Sequence, residues 1–151
     1  MEVYQVENNL SLSDSEIKRL VQEKVESYKN FSNLEQYAIF MGKAQILEFG
    51  LKGLLSIKYE FSFESIEKWT LGRVKNELEK KGLRQDFITL LSSVVTHRNH
   101  IAHEFLVNNS IVKSLGDFSD KKLYGDLFCA IYELEQIIII YDWNEENNGW
   151  G

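Results

Sequence analysis

The chain has 151 residues, of which 44% are hydrophobic and 26% are charged. It is therefore long enough for one soluble domain to bury a core without metals or disulfides. Its formal net charge of −6 argues against a general nucleic-acid coat, because such proteins gain most of their affinity from Lys and Arg that neutralise phosphates. The absence of proline and the scarcity of alternating hydrophobic patterns favour helices over strands. We therefore predict an all-α fold.

Neither the start of the sequence nor its apolar runs indicate export or membrane insertion. Residues 1–7 lack the basic start and apolar run of a signal peptide. The longest aliphatic run, 137–140, is far too short to span a bilayer. The one cysteine, Cys129, has no second cysteine for a disulfide or a metal knuckle, and its apolar neighbours predict a place in the core. We expect a cytoplasmic protein that contacts no membrane and needs no cofactor.

Two helices are predicted in the first part of the chain. Ser13 and Glu16 have the spacing of a capping box, and the apolar residues after them predict a first helix over about 13–30. After a short polar break, a second and longer helix is predicted over about 34–57. It is apolar on most sides, which is typical of a central helix. Three glycines in it are expected to let neighbouring helices approach closely: Gly42, Gly50 and Gly53.

The second half of the chain predicts a shorter helix and two long ones. Thr70 can cap a new helix that Gly82 then ends. A long helix is predicted over about 86–107, a connecting loop over 108–117 and a last helix over about 118–143. These spans follow the spacing of the apolar residues.

The two ends of the chain lack a periodic pattern, so we expect a poorly ordered arm over 1–12 and a poorly ordered tail over 144–151. No internal repeat or linker divides what lies between them. Short connections favour antiparallel neighbours. The sequence thus predicts a single domain over 1–151, built as an antiparallel bundle of four or five helices.

One charged residue occupies a position where the helical pattern requires an apolar one. In the helix predicted over 86–107, apolar side chains recur at alternating steps of three and four residues: Phe87, Leu91, Val94, Ile101 and Phe105. Arg98 stands at the missing place in this series. A guanidinium is always charged, so placing it there costs free energy unless a partner or a polar cleft receives it. The sequence therefore predicts either a structural partner or a phosphate-like ligand beside Arg98.

Two polar residues share a flank next to Arg98. Asn99 and His103 lie four residues apart and therefore stack on one side of the helix, within reach of the long arginine side chain. Such a group suits a phosphodiester, because an arginine can hold two phosphate oxygens and an imidazole can carry a proton near neutral pH. We predict that Arg98, Asn99 and His103 form a site that needs no metal.

These residues also resemble a family motif. The segment Arg98-Asn99-His100-Ile101-Ala102-His103 is similar to the arginine, four to six residues and histidine that define the HEPN superfamily of small helical domains. The residue after the arginine is usually polar in that pattern, and Asn99 agrees. As architecture the resemblance covers most of the chain, and its specific part is these six residues. Thr70-Leu71-Gly72, ahead of a basic helix, adds further support, and the placement in a core-facing helix strengthens the match.

The resemblance implies a metal-independent endoribonuclease that acts as a homodimer, with two motif helices meeting at a shared cleft. His103 would act as general base or acid for attack of the ribose 2′-hydroxyl on the adjacent phosphate, which leaves a 2′,3′-cyclic phosphate. Arg98 would stabilise charge on the phosphorane, and Asn99 would bind a phosphate oxygen or orient the imidazole. DNA would be spared, since it has no 2′-hydroxyl.

The resemblance further implies a toxin or phage-defence role, with an antitoxin or another regulatory protein as partner. Family members that work with a nucleotidyltransferase commonly carry a modified tyrosine two residues after the histidine, where this chain has Phe105. Nucleotide transfer to that position is therefore excluded. Other members have lost catalysis, so the alternative interpretation is an inactive dimeric module that binds a nucleotide or a protein.

Simpler interpretations of the motif stay open. Arg98 could be a structural arginine paired with a buried glutamate such as Glu48 or Glu135. His103 could be an ordinary histidine on the flank of its helix. Either outcome would leave the site without chemistry.

The other two histidines of this helix have no assigned role. With His103, His97 and His100 suggest a zinc site, but the three side chains spread over about 120° around the helix. No cysteine or tight carboxylate cluster completes a ligand shell. We therefore predict no metal site.

A basic stretch ahead of the motif offers a second contact for RNA. Its candidate residues are Arg73, Lys75, Lys80, Lys81 and Arg84. Such a stretch forms either a solvated helix face or a track for the RNA backbone.

Overall fold

The computed structural model describes residues 3–5, 11–112 and 121–151. Two short strands, β1 (Val3–Gln5) and β2 (Ser11–Ser13), pair antiparallel ahead of the first helix. The described helices are α1 (Asp14–Ser27), α2 (Asn33–Tyr59), α3 (Phe63–Ile66), α4 (Leu71–Lys80), α5 (Gln85–Val112) and α6 (Lys121–Asn147). The predicted all-α fold is confirmed. Within the described ranges, no helix is both long enough and apolar enough to cross a membrane.

Capping side chains explain where three of the helices begin. Ser13 accepts a hydrogen bond from the backbone N–H of Glu16 at 3.2 Å. Ser32 and Glu35 form a reciprocal capping box at the start of α2. Thr70 accepts a backbone N–H from the first turn of α4, also at 3.2 Å. Each oxygen satisfies a donor that the first turn of a helix leaves without a partner. The helix starts predicted at Ser13 and Thr70 are confirmed.

α5 lies against α6 and contributes much of the core. Its apolar stripe is buried, with no member more than 7% exposed: Phe87, Leu91, Val94, Ile101 and Phe105. The two helices run antiparallel, because contacts step in opposite directions along them. Ser93, near the start of α5, bonds Glu133, and His100, further along α5, pairs with the earlier Asp126 of α6. The motif helix is thus held by its neighbour on one side and by the core on another.

Gly50 allows α2 to approach α6 closely. A Cβ built on Gly50 would lie 2.9 Å from the hydroxyl oxygen of Tyr141. Burial, together with two nearby carboxylates, raises the pKa of Tyr141 to about 12, so this hydroxyl stays protonated at neutral pH. The expected close approach is therefore found at Gly50. At Gly42 and Gly53, a Cβ would meet no described residue within 4 Å, so the expectation of close approach is not met there within the described part of the chain.

Replacing Gly50 with alanine is expected to lower the free energy of unfolding by up to about 2 kcal/mol. The added methyl group would overlap Tyr141, at a cost of about 1–3 kcal/mol. Alanine returns about 1 kcal/mol of this through its higher helix propensity. Urea denaturation measures the change. Gly125→Ala, at an exposed position of α6 where a Cβ would meet no described residue within 4 Å, is the matched control and should not destabilise the chain. Equal losses at the two positions would contradict this packing.

The C-terminal segment differs from the poorly ordered tail predicted over 144–151. α6 continues to Asn147, and Trp150 is only 3% exposed. Its ring lies edge-on to the rings of Phe87 and Tyr141, at centroid distances of 5.0 and 5.4 Å. The backbone N–H of Arg84 also donates to the carbonyl of Trp150 at 3.2 Å. The buried indole, its two ring contacts and this backbone hydrogen bond together offset the entropy that the few residues after α6 lose.

Other element boundaries also differ from their predicted positions. Part of the arm predicted over 1–12 is paired in β1 and β2, and Leu12 is buried in the core. α5 continues to Val112 through part of the loop predicted over 108–117. The remaining parts of both segments lie outside the described residues. The start predicted for the last helix, at 118, also lies outside them.

Cys129 is exposed, so its predicted place in the core is wrong. The buried side chains of α6 around it are Leu127, Ala130, Ile131 and Leu134. Their spacing turns Cys129 to the outer face of the helix, beside the exposed Phe128. Apolar neighbours in sequence therefore did not imply apolar neighbours in space.

Candidate functional site

Arg98 lies on the buried stripe of α5, but its side chain is only partly buried. It lines a pocket of about 190 Å³ between α5, α2 and the start of α4. The other lining residues are Met41, Gly42, Ala44, Gln45, Glu48 and Leu71. Pockets for drug-sized ligands hold about 300–1,000 Å³, so this one suits a group the size of a phosphate. The guanidinium thus lies in a polar cleft. The sequence had predicted either such a cleft with room for a phosphate-like ligand or a structural partner for Arg98.

The carboxylates proposed as structural partners of Arg98 are paired with other cations. Glu48, which lines the same pocket, pairs with Lys52 at 3.1 Å. Glu135 is 2% exposed and accepts a hydrogen bond from Lys43 Nζ at 2.6 Å. Within the described part of the chain, Arg98 makes no ion pair with a carboxylate. The structure therefore does not form the ion pair of Arg98 with Glu48 or Glu135 that the simpler interpretation of the motif suggested.

Arg98 and Asn99 are in contact, whereas His103 lies apart from the pocket. Arg98 Nη1 donates to Asn99 Oδ1 at 3.3 Å, so the guanidinium reaches toward the flank that Asn99 and His103 share. Both Asn99 and His103 are exposed. His103 does not belong to the described residues that line the Arg98 pocket. A ligand that contacts all three side chains would have to extend from the pocket onto this flank.

The other two histidines of α5 bind carboxylates of α6. His97 Nε2 lies 2.7 Å from Glu133 Oε2, and the Ser93 hydroxyl donates to the same carboxylate. His100 Nε2 lies 2.9 Å from Asp126 Oδ2. These contacts join the two helices and give His97 and His100 a structural role. Across the described residues, no three histidine, cysteine or acidic side chains converge into a metal site.

The basic residues ahead of the motif separate into two groups. Arg84 is structural, because it forms two hydrogen bonds with Asp86, at 2.8 and 2.9 Å, and a third with a backbone carbonyl. Arg73 is exposed and lies over the ring of Trp69, with 4.2 Å between the guanidinium carbon and the ring centroid. Lys75 follows Leu71 of the pocket by one turn and is partly buried. Two further cations, Lys80 and Lys81, are exposed near the end of α4.

The structure adds a tyrosine to the site that the sequence did not indicate. The ring of Tyr37 stacks on Phe105 with 3.7 Å between the centroids and 10° between the planes. Burial raises the pKa of the Tyr37 hydroxyl, while the positive charge of Arg98 acts in the opposite direction. Tyr37 lies on the same face of α2 as the pocket residue Met41, one turn earlier. The spacing of Tyr37, Gln45 and Glu48 on one face of α2 is the signal that could have identified them.

The site combines the partly buried Arg98 guanidinium with hydrogen-bonding groups and with the Glu48 carboxylate, whose charge Lys52 balances. A guanidinium has five N–H donors, of which Asn99 accepts one. Gln45 adds an amide to the pocket wall. This arrangement can bind an oxyanion and can stabilise negative charge that develops on it.

In comparisons with known proteins, the chain matches no family model, no curated protein and no solved structure.

Proposed function

We propose that the protein is a metal-independent endoribonuclease of the HEPN type, with Arg98, Asn99 and His103 as its catalytic residues. The observation that carries the proposal is the Arg98 guanidinium, which lies at a core-facing position, binds an exposed amide and has no carboxylate partner among the described residues. A cation in this place costs free energy, and a phosphate bound beside it would offset that cost. His103 adds an imidazole, the side chain that most often transfers protons in enzymes.

The proposed reaction is an internal transesterification. His103 accepts the proton of the ribose 2′-hydroxyl as its oxygen attacks the adjacent phosphorus, and water protonates the leaving 5′-oxygen. In the reverse assignment, water takes up the first proton and His103 donates the second. Arg98 stabilises the charge that accumulates on the phosphorane oxygens. Asn99, whose amide oxygen accepts from Arg98, offers its NH₂ group to a phosphate oxygen. The products are a 2′,3′-cyclic phosphate and a 5′-hydroxyl.

The cellular role and partners that we propose for the enzyme follow from its resemblance to the HEPN superfamily. We place it in the cytoplasm as a homodimer with a toxin or phage-defence role, under the control of an antitoxin or another regulatory protein. Its RNA would extend from the Arg98 pocket along α4, where Lys75 lies one turn beyond the pocket residue Leu71. The exposed cations on this path are Arg73, Lys80 and Lys81. Arg84 is not part of this path, because Asp86 holds its guanidinium.

A second candidate function is a catalytically inactive dimer that binds a nucleotide phosphate or a protein partner. The observation in its favour is that Arg98 lines a small pocket to which His103 does not belong. An anion held there by Arg98 and Gln45 would be bound without any group positioned to move a proton. Binding without turnover would then be the activity of the site.

Incubating the purified protein with single-stranded RNA in EDTA separates the two candidates. The nuclease predicts cleavage in EDTA, with 2′,3′-cyclic phosphate at the new ends, and no cleavage of DNA of the same sequence. Cyclic ends identify the 2′-hydroxyl as the nucleophile. An RNA that is bound but stays intact would instead support the binding module.

The Tyr37→Phe variant is expected to cleave RNA about tenfold more slowly, because it removes a hydrogen-bonding hydroxyl from a side chain one turn before the pocket residue Met41. The ring that stacks on Phe105 is kept, so the thermal unfolding midpoint should change little. Tyr59→Phe, at a partly buried tyrosine elsewhere on α2, is the matched control. Equal rates for wild type and Tyr37→Phe would remove Tyr37 from the site.

A further inference from the structure

α2 exposes an apolar stripe on its outer face. Ile46, Phe49 and Ile57 are 72, 65 and 87% exposed. Together with Gly42 and Gly53 they recur at steps of three and four residues, so all five lie on one side of the helix. We call these five residues the α2 stripe. Exposed apolar patches of a few hundred square ångströms are often functional surfaces.

Packing against the described residues does not explain the two glycines of the α2 stripe. A Cβ at Gly42 or Gly53 would meet none of them within 4 Å, and neither residue has a positive φ. Glycine also weakens a helix relative to alanine. A contact with a second molecule would give these glycines a purpose. A glycine on a helix surface leaves room for a large side chain of another helix.

The order of large and small residues in the stripe is complementary to itself. When two copies of α2 run antiparallel about a point between residues 49 and 50, Ile46 of each copy faces Gly53 of the other. Ile57 of each copy likewise faces Gly42. Each isoleucine then fills the space above a glycine. Contacts related by a two-fold axis require such a self-complementary surface. We propose that two copies of this chain pair antiparallel through the α2 stripe.

The apolar area of the stripe is close to what a stable dimer needs. At their exposures, the three large side chains present roughly 400 Å² per copy. A standard interface buries about 800 Å² per partner, of which about 65%, or roughly 500 Å², is apolar in homodimers. Phe63, which lies edge-on to Phe49 at 5.3 Å between ring centroids, borders the stripe and adds to it.

The described side chains of the motif helix, from 85 to 105, offer no comparable surface. From 85 to 105, the exposed side chains of α5 are all polar: Gln85, Thr89, Thr96, Asn99 and His103. The resemblance to the HEPN superfamily implies that the motif helices meet in the dimer. The described surface favours pairing through α2 instead, because the exposed apolar area lies there.

Pairing through the α2 stripe also places the second copy at the edge of the Arg98 pocket. Gly42 belongs both to the stripe and to the pocket lining. Ile57 of the second copy, packed over Gly42, would form part of the pocket wall. Asn99 and His103, on α5, would stay open to solvent. This role of the pocket rests on the proposed function, whereas the dimer itself does not.

Sedimentation equilibrium of the full chain, without RNA, tests the dimer. The wild type should be a dimer at micromolar concentration, and Ile46→Glu should raise the dimer dissociation constant about 30-fold or more. Gly53→Ala should unfold at a higher temperature as a monomer and yet dimerise about tenfold more weakly, because its methyl group occupies the space for Ile46. Phe128→Glu changes an exposed apolar residue outside the stripe and should leave the dimer intact.

Disulfide cross-linking tests the antiparallel register in a chain whose Cys129 is replaced by serine. Ile46→Cys with Gly53→Cys should give covalent dimers. Ile46→Cys alone should not, because the two copies of residue 46 would lie about 10 Å apart along the paired helices. A monomeric wild type, or dimers that survive Ile46→Glu, would overturn the proposal. Neither result would decide whether RNA is cleaved, and an inactive chain could still form this dimer.

Discussion

His103→Ala is expected to cleave RNA about 10²–10⁴-fold more slowly than the wild type, because a positioned acid or base contributes a factor of that size. Arg98→Lys should slow cleavage by about 10²–10³-fold, because lysine keeps the charge but loses the planar fork that holds two phosphate oxygens. Single-turnover cleavage of a labelled RNA in EDTA measures both effects. Chemistry is then observed without product release.

The matched control for His103→Ala is His100→Gln. His100 lies on the same helix, but its imidazole pairs with Asp126 and faces α6. The variant should therefore keep its cleavage rate while losing some thermal stability. Circular dichroism of each variant reports whether the helices are kept. If His103→Ala and the wild type cleave at the same rate, the imidazole has no part in the chemistry, and the cleaving activity comes from another group.

Trp150→Ala is expected to lower the free energy of unfolding by about 3–5 kcal/mol, the usual loss when a buried tryptophan is truncated. The indole is 3% exposed and packs on Phe87, one of the buried apolar residues of α5. Its loss therefore leaves a cavity at the junction of α5 and α6. Small domains are stable by only about 5–15 kcal/mol, so the variant should be partly unfolded in mild denaturant. Urea denaturation followed by circular dichroism measures the loss.

Deletion of Gly151 is the control for Trp150→Ala. It shortens the same segment by an exposed residue and leaves the indole in place, so the urea midpoint should stay near that of the wild type. A comparable loss of stability in both variants would trace the effect to the chain end. A change below about 1 kcal/mol in Trp150→Ala would instead mean that the segment after α6 contributes little to the fold in solution.

The parts of the fold that could be predicted depend on interactions within one or two turns of helix. Ser13 and Thr70 cap their helices through a side-chain oxygen and a backbone N–H three residues on, and both partners can be read from the sequence. The stripe on α5 follows from helical spacing in the same way. The arm, the loop and the tail were harder to predict, because short segments become ordered through contacts with distant residues. Trp150, for example, packs against Phe87.

The same distinction between local spacing and distant contacts applies to the candidate site. The sequence by itself determined that Arg98 faces the core and that Asn99 and His103 share a flank, because helix geometry alone relates these positions. Only the tertiary structure decided that the guanidinium lies in a pocket beside α2. It also decided that the competing carboxylates are taken by other cations, as Glu48 is by Lys52. The physical reason is that charge pairing and burial depend on which helices pack together, and helical spacing carries no information on that choice.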